Sequence, residues 1–418
     1  MDIDTGNTAW VLASAALVLF MTPGLALFYG GMVRAKNVLA MLMQNFFAMG
    51  LVSVLWAAIG FSLAFGEGSG FVGDLAYAGL KGLGDAGEVL PGYTDDFAMS
   101  IPPVAFAAYQ MMFAIITPAL FTGATADRFR FSAYMLFLGA WSILVYSPVA
   151  HWVFSPEGWL FQRGALDFAG GAVVHINAGV AALVLVVVLG KRRGWPGEPM
   201  PPHSLPLTLL GTGILWFGWF GFNAGSALSA GGLAAQALMN THLAASAAML
   251  SWLLVERIRD GHATTLGGAS GAVAGLVAIT PCAGFVGGLS GIAIGAVAGV
   301  VCYFAIQLKY RLGYDDSLDV VGVHLVGGLV GSILLGFFAD TGVNALGADG
   351  LFFGGSDLIV DQLVAIGATV AYSGIVSFVL AKVIDLVVGL RVTPDQEAEG
   401  LDTAIHAETA YALGGRIG

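Results

Sequence analysis

Asp167 to Leu183 reads DFAGGAVVHINAGVAAL. A carboxylate opens the stretch, an imidazole sits in its middle, and the remaining residues are apolar or small. An ionisable side chain deep in a helix of membrane length is expensive, so its default reading is functional. A second stretch, Asp319 to Leu334, repeats the plan as DVVGVHLVGGLVGSIL. Each has Val-His followed by an apolar residue, and a glycine four places after the imidazole: Gly179 after His175, Gly328 after His324. Two such segments predict an internal repeat with a buried histidine pair at its seam.

Composition sets the class. Of 418 residues, 57% are hydrophobic and only 10% charged, where a soluble domain carries about 25% charge. Runs of roughly 20 apolar residues recur from end to end, each long enough to cross a ~30 Å hydrocarbon core as a helix. The shorter alternating pattern of membrane strands is not seen. The chain therefore reads as an all-α polytopic membrane protein. Its formal charge of −11 comes without a basic patch, which argues against nucleic acid as a partner. Cys282 and Cys302 fall in apolar segments and suit packing better than a disulfide framework. No third ligand stands at helical spacing from either histidine, so neither a metal nor another cofactor is expected. The acidic start, MDIDTGNTAW, lacks the basic region of a signal peptide, and the apolar run after it is expected to be a retained first span.

Eleven spans are expected, at about 8–31, 38–65, 98–122, 131–154, 168–190, 205–227, 231–256, 264–281, 284–308, 320–339 and 358–389. With the N-terminus outside, only Lys81 and Arg163 of the 16 Lys and Arg stay there, and 16 − 2 = 14 fall on the cytoplasmic side. Eleven divides into a 5+5 inverted repeat plus one C-terminal helix, a plan that sets its site between the halves near the midplane. Residues 1–390 then form a transmembrane domain, and 391–418 a cytoplasmic tail. By composition alone that acidic tail reads equally well as disordered. His175 lies about 12 Å below the outer end of its span and His324 about 7.5 Å above Asp319, so the two approach from opposite faces.

The outer helix ends carry further chemistry. Ser226 closes span six, with Phe222 about 6 Å deeper. Tyr109 and Phe113 share a face of span three. Span four exits at His151 to Phe154, and span eight at Thr280. A hydroxyl acceptor and several aromatic faces thus converge on one external mouth above the histidines. Aromatic faces attract a desolvated cation by ~2 kcal/mol or more, and a serine oxygen accepts a hydrogen bond that ammonium donates and potassium cannot. Carrying a small cation through a dry pore costs at least several kcal/mol, so moving a neutral species and handling its proton separately is the economical route. Plainer readings stand beside these: Asp167 as a helix N-cap, Ser226 bonded to its own backbone, and Phe113 and Phe222 as packing. Gly268-Ala-Ser270-Gly271 is similar to the GxSG of rhomboid proteases, with His324 as a base, but that reading leaves His175 and the aromatic mouth unexplained.

The stretches FYGGMVRAKNVL, FAIITPAL, GALDFAGGAVVHINAG, GWFGFNAGSA, SGAVAGLVAITP, DVVGVHLVGGLVG and GLRVTPDQEAEGLD together resemble the Amt/Mep/Rh ammonium transporters, of the bacterial Amt type, over nearly the whole chain. The resemblance implies ammonium or ammonia as cargo, with methylammonium a second, and a homotrimer with one pore per subunit in the cell membrane. His175 and His324 match the pore pair, Phe113 and Phe222 the stacked phenyl gate, Ser226 the recruitment hydroxyl, and Asp167 the acid supporting it. Thr280 and Trp219 match neighbours of the gate and mouth. EAEGLD matches the tail by which bacterial members engage a PII signalling protein. At the mouth, Phe154 stands where a tryptophan is usual, with Trp152 two residues away. A sensor that conducts little is the second reading.

Overall fold

The structure is a computed structural model, described for residues 3–84 and 88–411. Its helices are α1 Thr5–Met32, α2 Ala35–Phe65, α3 Pro103–Thr125, α4 Phe131–Arg163, α5 Gly171–Leu189, α6 Leu205–Ala227, α7 Gly232–Arg259, α8 Thr265–Ile279, α9 Ser290–Leu312, α10 Val321–Phe338 and α11 Asp357–Val388. Ten of these are long and apolar enough to cross a membrane. The remaining one, α8, has 15 residues, about 22 Å of helix. It stops inside the bundle, where Thr280 is buried and Pro281 O accepts from Phe168 N at 3.1 Å. The regular part of α4 ends at Phe154. A short hairpin, β1 Gly68–Ser69 with β2 Val72–Gly73, caps the end of α2.

Corresponding helices of the two halves meet: α1 runs along α6, and α5 packs on α10. Small residues permit this. A methyl on Gly179 would lie 2.5 Å from Leu325 N, which no real side chain tolerates, so glycine there sets how closely α5 and α10 approach. Both of these helices begin with a π turn, Gly171–Ile176 and Val321–Leu325, and each turn contains the histidine. Such wide turns inside helices are rare and concentrate at functional sites.

The tail departs from the disordered reading. Over 391–411 it folds back on the bundle, with α12 Pro394–Glu399 and α13 Leu401–His406; the last seven residues, Arg416 among them, lie outside the described residues. Thr393 and Gln396 form a capping box at the start of α12. Arg391 bonds Leu189 O at 3.0 Å and Glu397 at 2.8 Å. The Asp402 carboxylate accepts from Leu39 N and Ala40 N at 3.0 and 2.8 Å, supplying partners to free N–H groups in the first turns of α2. Polar composition misleads here because the tail's carboxylates satisfy the body's own backbone.

Asp402→Ala should therefore undock the tail, since it strands buried N–H groups at a cost of about 1–3 kcal/mol. Limited proteolysis of purified protein checks this. Cleavage within 391–411 at the parent rate would mean that Asp402 is not the anchor.

Candidate pore and external vestibule

The site is built from two copies of one local device. In the first, the Asp167 carboxylate accepts four backbone N–H groups: Gly170 at 2.8 Å and Gly171 at 2.6 Å on Oδ1, Ala172 at 2.8 Å and Val173 at 3.2 Å on Oδ2. Gly170, at φ 118°, makes the left-handed turn that aims these groups at one carboxylate. Asp167 thus caps the π turn that carries His175, and its polar capacity is used by its own backbone. In the second copy the cap is Asp316, whose oxygens accept from Val320 N at 3.1 Å and Val321 N at 2.7 Å. Asp319, expected as the counterpart of Asp167, instead pairs with Lys309 at 2.5 Å. The spacing held the signal: 175 − 167 and 324 − 316 both equal 8.

The two histidines meet. Their Nδ1 atoms are 3.3 Å apart and their rings, 5.3 Å between centroids, lie 21° from parallel. Trp219 also stacks on His175, at 5.4 Å and 17°. Its indole N–H donates to Thr280 Oγ1 at 3.0 Å, which in turn donates to Leu276 O at 2.7 Å. Trp219 and Thr280 therefore hold the His175 ring in plane. His175 Nε2 is buried without a protein partner.

Phe113 and Phe222 stack above the pair, 4.2 Å between centroids and 31° apart. They separate two spaces of different character. Phe113 lines a vestibule of about 560 Å³, and Phe222 lines an inner cavity of about 10 Å³ walled by Val174, Leu215, Trp219 and both histidines. The inner space is at the lower limit for a single water. At the opposite end of the bundle a polar cavity of about 360 Å³ is lined by Arg34, Asp127, Arg192, Lys309 and Asp319. Beside it, Arg192 grips Asp315 at 3.0 and 2.9 Å. Burial alone would raise the Asp315 carboxyl, but this guanidinium holds it below the usual carboxylate range.

In the vestibule, Tyr109 is a bracket rather than a wall: its hydroxyl sits 2.9 Å from Gly221 O and Phe222 O and 3.1 Å from Ser226 Oγ. Ser226 gives its proton to Phe222 O at 2.9 Å. The backbone bond foreseen as the plainer reading thus exists, and it leaves the oxygen's lone pairs as what Ser226 offers. Phe154 lines the vestibule. Trp152 turns away from it, donating to Phe71 O at 2.8 Å and packing on Tyr372 at 4.7 Å. Sequence reasoning missed Gln110, which lines the vestibule with a buried, unpartnered Oε1; its neighbour Tyr109 drew attention only through its spacing from Phe113. Ser270 makes no hydrogen bond to His324, whose Nδ1 faces His175 instead.

The sequence profile of the Ammonium Transporter Family matches residues 9–411. An ammonium transporter of Mycobacterium tuberculosis is 52% identical over 98% of this chain and 90% of its own length. One from Bacillus subtilis is 50% identical over 97% and 98%. The crystal structure of Saccharomyces cerevisiae Mep2 superposes with a TM-score of 0.87 at 38% identity, covering 94% of this chain and 89% of Mep2. A structure titled Sensor Amt Protein gives 0.86 at 27% identity over 96% and 98%. With a whole-chain profile match, half-identical relatives and the same helical bundle, this chain belongs to the ammonium transporter family, a family of membrane transporters and not of enzymes.

Proposed function

We propose that the chain captures ammonium at its external vestibule, where the ion gives up a proton to solvent water, and passes the resulting ammonia between the Phe113 and Phe222 rings and along the His175–His324 pair. The observation that carries this reading is the imidazole pair, with Nδ1 atoms 3.3 Å apart, behind stacked phenyl rings in a cavity of about 10 Å³. A hydrated cation has no room in that space, and a bare one loses several kcal/mol of solvation. Ammonia loses far less, because it is neutral.

Each residue has a part. Ser226 Oγ accepts a hydrogen bond from ammonium, and Phe113 and Phe154 offer ring faces to its charge. Tyr109 fixes Ser226, and Asp167 fixes the π turn below it. Contact between the two Nδ1 atoms needs one donor and one acceptor, so one imidazole carries its proton on Nδ1 and the other on Nε2. The Nε2 atoms then present one lone pair and one N–H along the pore, which suits a molecule that both donates and accepts. The N-terminus is outside and the tail cytoplasmic, in the cell membrane, as the Lys and Arg distribution supports. The working unit is a homotrimer in membrane lipid, with methylammonium as a second cargo and a PII-type protein as the regulator that docks at the folded tail. These last assignments rest on the family resemblance.

Three measurements test the proposal. Replacing His175 or His324 with Ala removes a donor–acceptor ring from a dry pore and should change both ammonium uptake and exclusion of potassium in proteoliposomes. If both variants conduct ammonium and exclude potassium like the parent, the paired-histidine mechanism is wrong. Phe154→Trp should tighten half-saturation, because indole is the better cation partner and about 1 kcal/mol is roughly five-fold in affinity. Trp152→Leu should leave half-saturation unchanged, as its indole is engaged with Phe71 and Tyr372; the reverse pattern would relocate the capture site. Truncation after Arg391 should abolish pull-down of the cognate PII protein, and retained binding would remove the tail from that interface.

A further inference from the structure

The vestibule is larger than its proposed cargo needs. It encloses about 560 Å³, within the range of about 300–1,000 Å³ found for pockets that take organic ligands. Ammonium is close in size to a water molecule, which occupies about 30 Å³ of the liquid. One ion held at Ser226 therefore leaves most of the space unfilled.

What lines that space is largely aromatic: eight of its side chains are Phe or Tyr. Besides Phe113 and Phe154, two pairs form corners. Phe97 and Phe161 meet at 5.1 Å and 71°, and Phe168 and Phe285 at 5.5 Å and 84°. All four line the vestibule, so rings set nearly at right angles face one cavity. They come from separate segments: Phe97 from the loop before α3, Phe161 from the last turn of α4, and Phe168 and Phe285 from the loops before α5 and α9. The lining also carries charge of one sign. Its carboxylates are Asp96 and Asp167, and it holds no Lys, Arg or His. Asp167 is committed to the backbone of α5, whereas Asp96 is exposed.

We propose that this vestibule binds small quaternary ammonium ions, held against the Phe97, Phe161, Phe168 and Phe285 rings and stopped at the Phe113–Phe222 pair. A ring face attracts a cation within about 6 Å of its centroid, most strongly when the ion has shed its water. Alkyl groups around the nitrogen make the ion larger, and the cost of desolvating an ion falls as its radius grows. Such an ion has no N–H, so it does not need the Ser226 oxygen. It has no proton to lose, so it cannot become neutral. Its bulk does not fit the cavity of about 10 Å³ beneath the phenyl rings. It is a ligand of the vestibule and not a cargo of the pore. The binding does not rest on the capture reading above; only its competition with ammonium does.

Choline is the probe, and its carbon isostere, with a tert-butyl group in place of trimethylammonium, is the uncharged control of equal shape. Labelled choline should bind saturably to the full chain in nanodiscs. The isostere should displace it at least about five-fold less well than unlabelled choline does, the contribution of one desolvated ring. Phe97→Leu and Phe161→Leu should each weaken choline binding about five-fold and leave half-saturation for ammonium uptake at the parent value. In liposomes, choline supplied with ammonium on the vestibule side should raise half-saturation without lowering maximal uptake, and labelled choline should not accumulate inside. No saturable choline binding, equal displacement by the isostere, parent affinity in both leucine variants, or accumulated choline would each overturn the proposal. The isostere comparison uses the parent protein, so it decides even where a leucine variant fails to fold. Saturable choline binding with no effect on ammonium half-saturation would keep the organic-cation site and remove ammonium capture from the vestibule.

Discussion

Inside a bilayer a backbone N–H or C=O has no solvent to turn to, so it must find a partner within the protein. The centre of this bundle is arranged around that constraint. Two helices that bring a histidine to the middle of the membrane cannot begin as ordinary helices, because their first N–H groups would be left in a dry interior. Asp167 and Asp316 resolve this, each accepting the free N–H groups of a π turn eight residues before its histidine. The wide turn and the carboxylate cap together aim each imidazole inward. The acids are therefore part of the seam's construction, and each imidazole is left with the other as its hydrogen-bonding partner in the protein.

Close approach follows from the same seam. The two Nδ1 atoms reach 3.3 Å because the helices behind them touch at glycines, where Gly179 meets the backbone of Leu325 and Gly328 comes near Gly171 O. Larger residues there would separate the rings and open space for water. The aromatic layer divides the path by size rather than by charge. A vestibule of about 560 Å³ admits a solvated ion, and a cavity of about 10 Å³ beneath the phenyl rings does not. That contrast in size is what the proposed conversion of ammonium to ammonia rests on.

The two ends of the molecule use backbone partners differently. At the tail, Asp402 on α13 supplies caps to α2, so a polar segment folds by satisfying another segment's groups. At the opposite end of the bundle, the His151 ring joins the last turns of α2 and α4 to the hairpin through two carbonyls. Both contacts join residues far apart in the chain: 402 with 39, and 151 with 64 and 69.

Much was legible in the sequence because membrane insertion imposes simple rules. Length and apolarity of a run decide a spanning helix, Lys and Arg decide an orientation to expect, and a histidine in an apolar run is costly enough to mark a site. The pairing of His175 with His324 and the stacking of Phe113 on Phe222 followed from residue spacing and family resemblance. What spacing could not decide was which atoms are already taken. Asp319 looked like the partner of Asp167 until Lys309 claimed it. Register placed Phe154 at the mouth and left Trp152 as an alternative, which a hydrogen bond to Phe71 O turns away. Composition left the tail open to a disordered reading because it counts charges and cannot see the N–H groups they will meet. Periodicity and burial cost are local properties that a sequence carries by itself; hydrogen-bond partnership is set across the chain, and only the tertiary structure decides it.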